Sequence, residues 1–249
     1  MPTFKAILFD LGNTLIYFDG DWGEVLAEAD GAMFRQLQEA GIDLDENSFR
    51  SAFRAELQTY YREREMDFIE YTTFYVLQKL LTEWGYPDLS ESVLRPALNA
   101  LYAVTQAYWH PDPLAIPLLE TLRIRGYQLG LISNAGDDLD VQVLVDKAGL
   151  RPLFDLIVTS AALGIRKPNP EIFRGVLRQI GAAPSEAAMV GDMLGADVLG
   201  AQNAGVFSIW LARQPDHPAN QAHRETIHPQ AVIYTLNQLP ALLERLAKE

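Results

Sequence analysis

The chain contains no cysteine. That absence excludes disulfides, thiol nucleophiles and cysteine-type zinc sites in a single step. Long apolar runs are lacking too, and none of the 249 residues' hydrophobic stretches is long enough to cross a bilayer. Positive charge is scarce: 20 Lys and Arg face 33 Asp and Glu, a formal charge of −13. A nucleic-acid binder needs a basic face for phosphate contacts, so that class is excluded as a partner. Acidity of this size serves solubility and gives no long-range attraction for anionic ligands. The N-terminus leads straight into an apolar run without a basic region and cleavage site, and a cytoplasmic location is the expectation.

What is present reads as an alternating α/β protein. Apolar runs predict strands at about 4–9, 127–132, 155–158, 187–190, 206–210 and 231–234. Helical spacing falls between most of them, near 113–125, 139–148, 170–180, 195–204 and 239–247. Glycines such as Gly126 and Gly181 follow the helical stretches, as left-handed helix closures do. Such alternation implies a Rossmann-like parallel sheet with helices on both faces. The interval from 19 to 110 breaks the pattern. It shows no clear strand, has helical spacing near 23–40, 46–64, 71–84 and 90–108, and holds 15 of the 25 aromatic residues. Two strands of one parallel sheet do not need so long a connection. The expected organisation is a core of 1–18 and 111–249 with an inserted α-helical cap domain over 19–110.

Four segments carry chemistry. Phe9-Asp10-Leu11-Gly12-Asn13-Thr14-Leu15 places a carboxylate at the end of the first buried strand, where α/β enzymes put their sites, with Thr14 close by. Gly130-Leu131-Ile132-Ser133-Asn134-Ala135 ends a second strand in a hydroxyl and an amide. Arg166-Lys167-Pro168-Asn169-Pro170 puts a lysine just before a helix. Ala188-Met189-Val190-Gly191-Asp192 ends a further strand, and Asp197 follows five residues later. Taken singly, each has an ordinary structural explanation: Asp197, Ser133 and Asn134 suit helix N-termini, and lysines usually lie on the surface. His217, His223 and His228 lie among prolines without helical ligand spacing and read as a loop, with no metal assigned.

In this order, the four segments resemble the four motifs of the haloacid dehalogenase superfamily, and the resemblance spans nearly the whole chain. It implies that Asp10 attacks phosphorus to form an aspartyl-phosphate. It implies that Asp192 binds Mg²⁺ with Asp10, that Gly12 supplies a backbone carbonyl ligand, and that Asp197 supports the metal through water or by orienting Asp192. Ser133 and the backbone N–H of Asn134 would hold phosphate oxygens, and Lys167 would neutralise nucleophile and phosphoryl group. The implied helical cap closes over this site. Gly12 departs from the pattern, since the phosphatase branch has a second Asp there as general acid/base. The leading expectation is therefore a Mg²⁺-dependent phosphatase for a small-molecule phosphate ester. The alternatives are a metal-independent haloacid dehalogenase, a branch that also lacks the second Asp, and a binding or regulatory protein that has lost turnover.

Overall fold

The computed structural model describes residues 4–248. Its centre is β1 (Ala6–Phe9), an all-buried strand whose side chains alternate between the two faces of the sheet. Ile7 and Phe9 join one apolar cluster and Ala6 and Leu8 the other. Around it lie β4 (Gln128–Ser133), β5 (Leu156–Thr159), β6 (Ala187–Gly191), β7 (Phe207–Leu211) and β8 (Ala231–Ile233), in the order β5-β4-β1-β6-β7-β8. All five pairings are parallel. The helices α5 (Ala115–Ile124), α6 (Asp138–Lys147) and α11 (Leu239–Leu246) cover one face, while α8 (Pro170–Ile180) and α9 (Leu199–Ala204) cover the other. The six expected strands are all present, and the α/β class is as the sequence predicts.

The chain builds outward from β1 to β4 and β5, then returns to β6 on the opposite side of β1. The direction of winding therefore reverses at the carboxyl end of β1, and a crevice opens there.

Between β1 and β4 the chain departs for a second apolar core. It is made by α1 (Trp22–Glu39), α2 (Glu46–Asp67), α3 (Thr73–Glu83) and α4 (Glu91–Gln106) around Met33, Phe49, Phe53, Leu77 and Leu98. Asp21, Asp45 and Thr72 cap the first three helices by accepting hydrogen bonds from Glu24 N, Ser48 N and Tyr75 N. None of the described helices is long and apolar enough to cross a membrane.

Two expectations need correction. The interval to 110 is not free of strand, because β3 (Trp109–Pro111) pairs antiparallel with β2 (Ile16–Phe18) where the chain leaves and re-enters the sheet region. The polar segment from 213 to 230 is not all loop, because α10 (Pro218–Gln221) forms in it with proline at its first position. The short helix α7 (Ser160–Leu163) also follows β5 directly.

Candidate active site

Asp10 follows β1, Ser133 ends β4 and Asp192 follows β6, so the three strands at the crevice deliver one candidate residue each. Lys167 comes from the turn before α8. Its side chain is almost wholly buried, and its ammonium donates to Asp10 Oδ1 (2.7 Å), Asp197 Oδ1 (2.7 Å) and the Ile132 carbonyl (2.8 Å). All three donors of the lysine are thereby used. Burial alone would lower the pKa of Lys167; Asp10 and Asp197 outweigh it and hold the group above its ordinary range.

Asp197 is fully buried, and both of its oxygens are occupied, one by Lys167 and the other by the Met193 N–H at 2.9 Å. The backbone explains how it gets there. Residues Leu194–Val198 form a wide π-type turn in which the Asp197 and Val198 N–H groups both point to the Met193 carbonyl. That turn lays the Asp197 carboxylate over Gly191, where any Cβ would overlap it. A glycine is therefore required before Asp192 on steric grounds. The Asp192 carbonyl is fixed by Trp210 Nε1 and Asn220 Nδ2, each at 2.9 Å. Asn220 is buried, stands in α10 and also accepts from Leu194 N at 2.8 Å, so the polar segment after β7 props up the Asp192 loop.

Asp10, Asp192 and Asp197 each offer a carboxylate oxygen within 4.8 Å of the others. One lysine faces three carboxylates, a deficit of positive charge in a buried place. Burial, then Asp10 and Asp197, push Asp192 well above the usual carboxylate range. Burial likewise pushes Asp197 up to about 6 against the pull of Lys167. A hard divalent cation fits this donor set and would return the carboxylates to their ionised form. Asp10 has one oxygen on Lys167, and its second makes no hydrogen bond among the described residues. Both Asp197 oxygens are engaged, whereas Asp10 and Asp192 keep carboxylate oxygens without a hydrogen-bond partner among the described residues.

Asn134 does more than the sequence suggests. Its amide brackets the backbone of Lys167, donating to the Lys167 carbonyl and accepting from the Lys167 N–H, each at 2.9 Å. Thr14 is not brought to the site: it is fully buried, its hydroxyl has no partner among the described residues, and it does not line the cavity. The arginines of α2 also divide. Arg64 lies over the Tyr61 ring at 4.1 Å, whereas Arg54 reaches the cavity wall and pairs with the buried Asp30.

A cavity of about 730 Å³ opens over this cluster, between the sheet edge and the inner faces of α1, α2 and α4. Gly12 lines it, in a conformation outside the left-handed region. A Cβ placed there would touch the Trp109 ring at 3.4 Å. Trp109 is itself held edge-on to Phe18, whose ring stacks on Trp22 at 3.7 Å. An aromatic wall thus lies where a side chain at position 12 would point.

A doubly wound parallel sheet with a lysine and three carboxylates gathered at its switch point defines an α/β enzyme. The chain belongs to the haloacid dehalogenase-like hydrolase family, whose model matches residues 4–205. It is 30% identical to the glyceraldehyde 3-phosphate phosphatase of Methanopyrus kandleri over 84% of each chain. Among solved structures it is similar to a HAD phosphatase from Thermococcus onnurineus (25% identity, TM-score 0.62, covering 96% and 97% of the two chains). It is also similar to a 2-haloacid dehalogenase from Pseudomonas syringae pv. Tomato (26% identity, TM-score 0.67, covering 98% and 99%). Phosphatase and dehalogenase share this fold, so the site must distinguish them.

Proposed function

We propose that the chain is a Mg²⁺-dependent phosphatase of small phosphomonoesters that works through an aspartyl-phosphate on Asp10. The observation that carries this reading is the cluster of Asp10, Asp192 and Asp197 around Lys167. Displacement of halide by a lone carboxylate needs no cation and gains nothing from two further buried acids. A phosphoryl group brings its own negative charge, and here a cation-binding donor set is built to meet it. The Methanopyrus kandleri relative, a phosphatase by name, supports the same choice.

Each residue has a task in this reading. Asp10 attacks phosphorus as the leaving oxygen departs, and water then cleaves the acyl phosphate. Lys167 holds Asp10 in position and offsets its charge. Ser133 and the amides after it, at the end of β4 and before α6, receive phosphoryl oxygens. Asn134 acts chiefly by fixing Lys167. Asp10, Asp192 and the Gly12 carbonyl hold Mg²⁺, and Asp197 orients the arrangement through Lys167 and the Met193 N–H. Bound Mg²⁺ would neutralise charge developing on the phosphoryl oxygens. Residues 19–110 act as the cap over a core of 1–18 and 111–249, and they exclude water and bulky esters.

Phosphate release from a mixed panel of phosphometabolites, with Mg²⁺ and with chelator, tests the reading. Release that needs Mg²⁺ and disappears in a folded Asp10→Asn variant is the expected result. Halide release from a haloacid that persists in chelator would replace it with the dehalogenase.

A further inference from the structure

Gly12 leaves the reaction without the carboxyl that would protonate the leaving group, and the cavity wall offers a replacement. Its acids among the described residues are Asp10, Asp30, Asp140, Asp192 and Asp197. Asp10 and Asp197 are bound to Lys167, Asp192 belongs to the cation cluster, and Asp30 is ion-paired with Arg54. Asp140 lies outside the cation cluster and has no ion pair among the described residues. It stands in the first turn of α6, the helix that follows the Ser133 loop. Its Oδ1 accepts from the Gln106 amide of α4 at 2.8 Å.

Lys147 donates to the Gln106 carbonyl at 2.9 Å and from there offsets the Asp140 charge only in part. The other ionisable groups around it are Asp137, which caps its helix, and Tyr102 on α4. Tyr102 donates to Thr73 Oγ1 at 2.7 Å, and burial drives its phenol well above its ordinary range, so it is no proton donor near neutrality. One helical turn beyond Asp140, Leu144 shares the cavity wall with Trp109, the ring that fills the space beside Gly12. Burial, reinforced by Asp137 and outweighing the Gln106 hydrogen bond and the Lys147 charge, pushes the carboxyl of Asp140 up to about 7. A carboxyl poised there suits general acid catalysis at neutral pH.

We infer that Asp140 is the general acid and base of this enzyme, taking from α6 the task that position 12 cannot perform. The inference rests on the phosphatase reading above. As Asp10 bonds to phosphorus and the phosphorus–oxygen bond to the alcohol breaks, the Asp140 proton passes to the departing alkoxide. The alcohol leaves, and Asp140 is left as a carboxylate. In the second half, Asp140 takes a proton from the water that attacks phosphorus, the bond to Asp10 breaks, and inorganic phosphate is released with both side chains restored.

The test is kcat/KM of wild type and Asp140→Asn with Mg²⁺, on glycerol phosphate and on nitrophenyl phosphate, from about pH 5 to about pH 9. The phenolate leaves without protonation, so the two esters separate acid catalysis from all else. The variant should lose roughly a hundredfold on glycerol phosphate and less than about threefold on the aryl ester. Wild type should fall off with glycerol phosphate above about pH 7, as Asp140 ionises, and the variant should lose that limb. Should Asp140→Asn fail to fold, Gln106→Leu serves instead. It removes a hydrogen bond that favours the ionised carboxyl, so the alkaline limb should move to higher pH. Equal losses on both esters, an unchanged profile in Asp140→Asn, or an unmoved limb in Gln106→Leu would overturn the inference and leave the phosphatase standing. Hydrolysis of neither ester, nor of any other phosphate ester, by wild type would overturn both.

Discussion

At Asp192 the needs of stability and of metal binding pull in opposite directions. Its carboxylate is buried beside Asp10 and Asp197, and its pKa is raised, so the ionised side chain works against the fold once pH exceeds the unfolded value near 4. Asp192→Asn should therefore raise the melting temperature measured in chelator at neutral pH, with a gain on the order of 1 kcal/mol, and should abolish Mg²⁺ binding in a calorimetric titration. A variant less stable than wild type in chelator would contradict the repulsion argued here. Gly12 gives a second contrast. Its backbone is compatible with other residues, and the added Cβ would meet Trp109 at an ordinary 3.4 Å. In the Asp140→Asn background, Gly12→Asp should thus fold and raise kcat/KM for alkyl phosphates more than for aryl phosphates. A well-folded double variant with an unchanged ratio would mean that a carboxyl at position 12 cannot take over proton supply.

At the scale of elements, α6 ties the site to the inserted helices. Asp137 caps α6 through its Oδ1, and its Oδ2 accepts from Arg95 of α4 at 2.6 Å. The Asp137 carboxylate is almost fully buried, so removing its partner leaves a charge uncompensated. Arg95→Ala should cost about 1–3 kcal/mol in urea unfolding. A change below a few tenths would show that water replaces the arginine.

The elements were unevenly legible in sequence. The six core strands announce themselves because each is an apolar run bounded by turns, and Gly126 and Gly181 close their helices at φ +85° and +78°, as their positions suggested. The β2–β3 ribbon was not legible: three residues per strand give no alternation to read, and its pairing joins Tyr17 to His110 across the whole insertion. The site divides in the same manner. Asp10, Ser133, Lys167, Asp192 and Asp197 stand at strand ends or beside a helix start, and the topology brings them together. Thr14, one turn beyond Asp10, is carried inward instead. Asp140, Arg54, Trp109 and Asn220 have no local signal, since their roles depend on partners far away in the chain.

For the molecule as a whole, the −13 charge and the inserted helices bear on which phosphate esters can enter. Long-range attraction is absent, so selection falls to the cavity itself. Its floor is the carboxylate cluster and its roof is the inner face of α2, through Phe53, Arg54, Leu57 and Tyr61. The helical unit also docks on the sheet region through short polar links. The Thr73 N–H donates to the Gly136 carbonyl at 2.7 Å, and the buried Glu70 carboxylate joins Tyr60 of α2 to the hydroxyl of Ser160. Such links can part and re-form as a unit while the two apolar cores stay intact, which is the behaviour expected of a closing cap. A cavity of about 730 Å³ has room for a small ester, and the helices over it stand in the way of a phosphorylated side chain still attached to folded protein. Small sugar or polyol phosphates should accordingly be turned over at least about a hundredfold more efficiently, in kcat/KM, than a phosphoprotein. The preference should shrink if residues 19–110 are replaced by a short linker and the remaining core still folds. Comparable turnover of both substrate types by the intact enzyme would show that the inserted helices do not govern access.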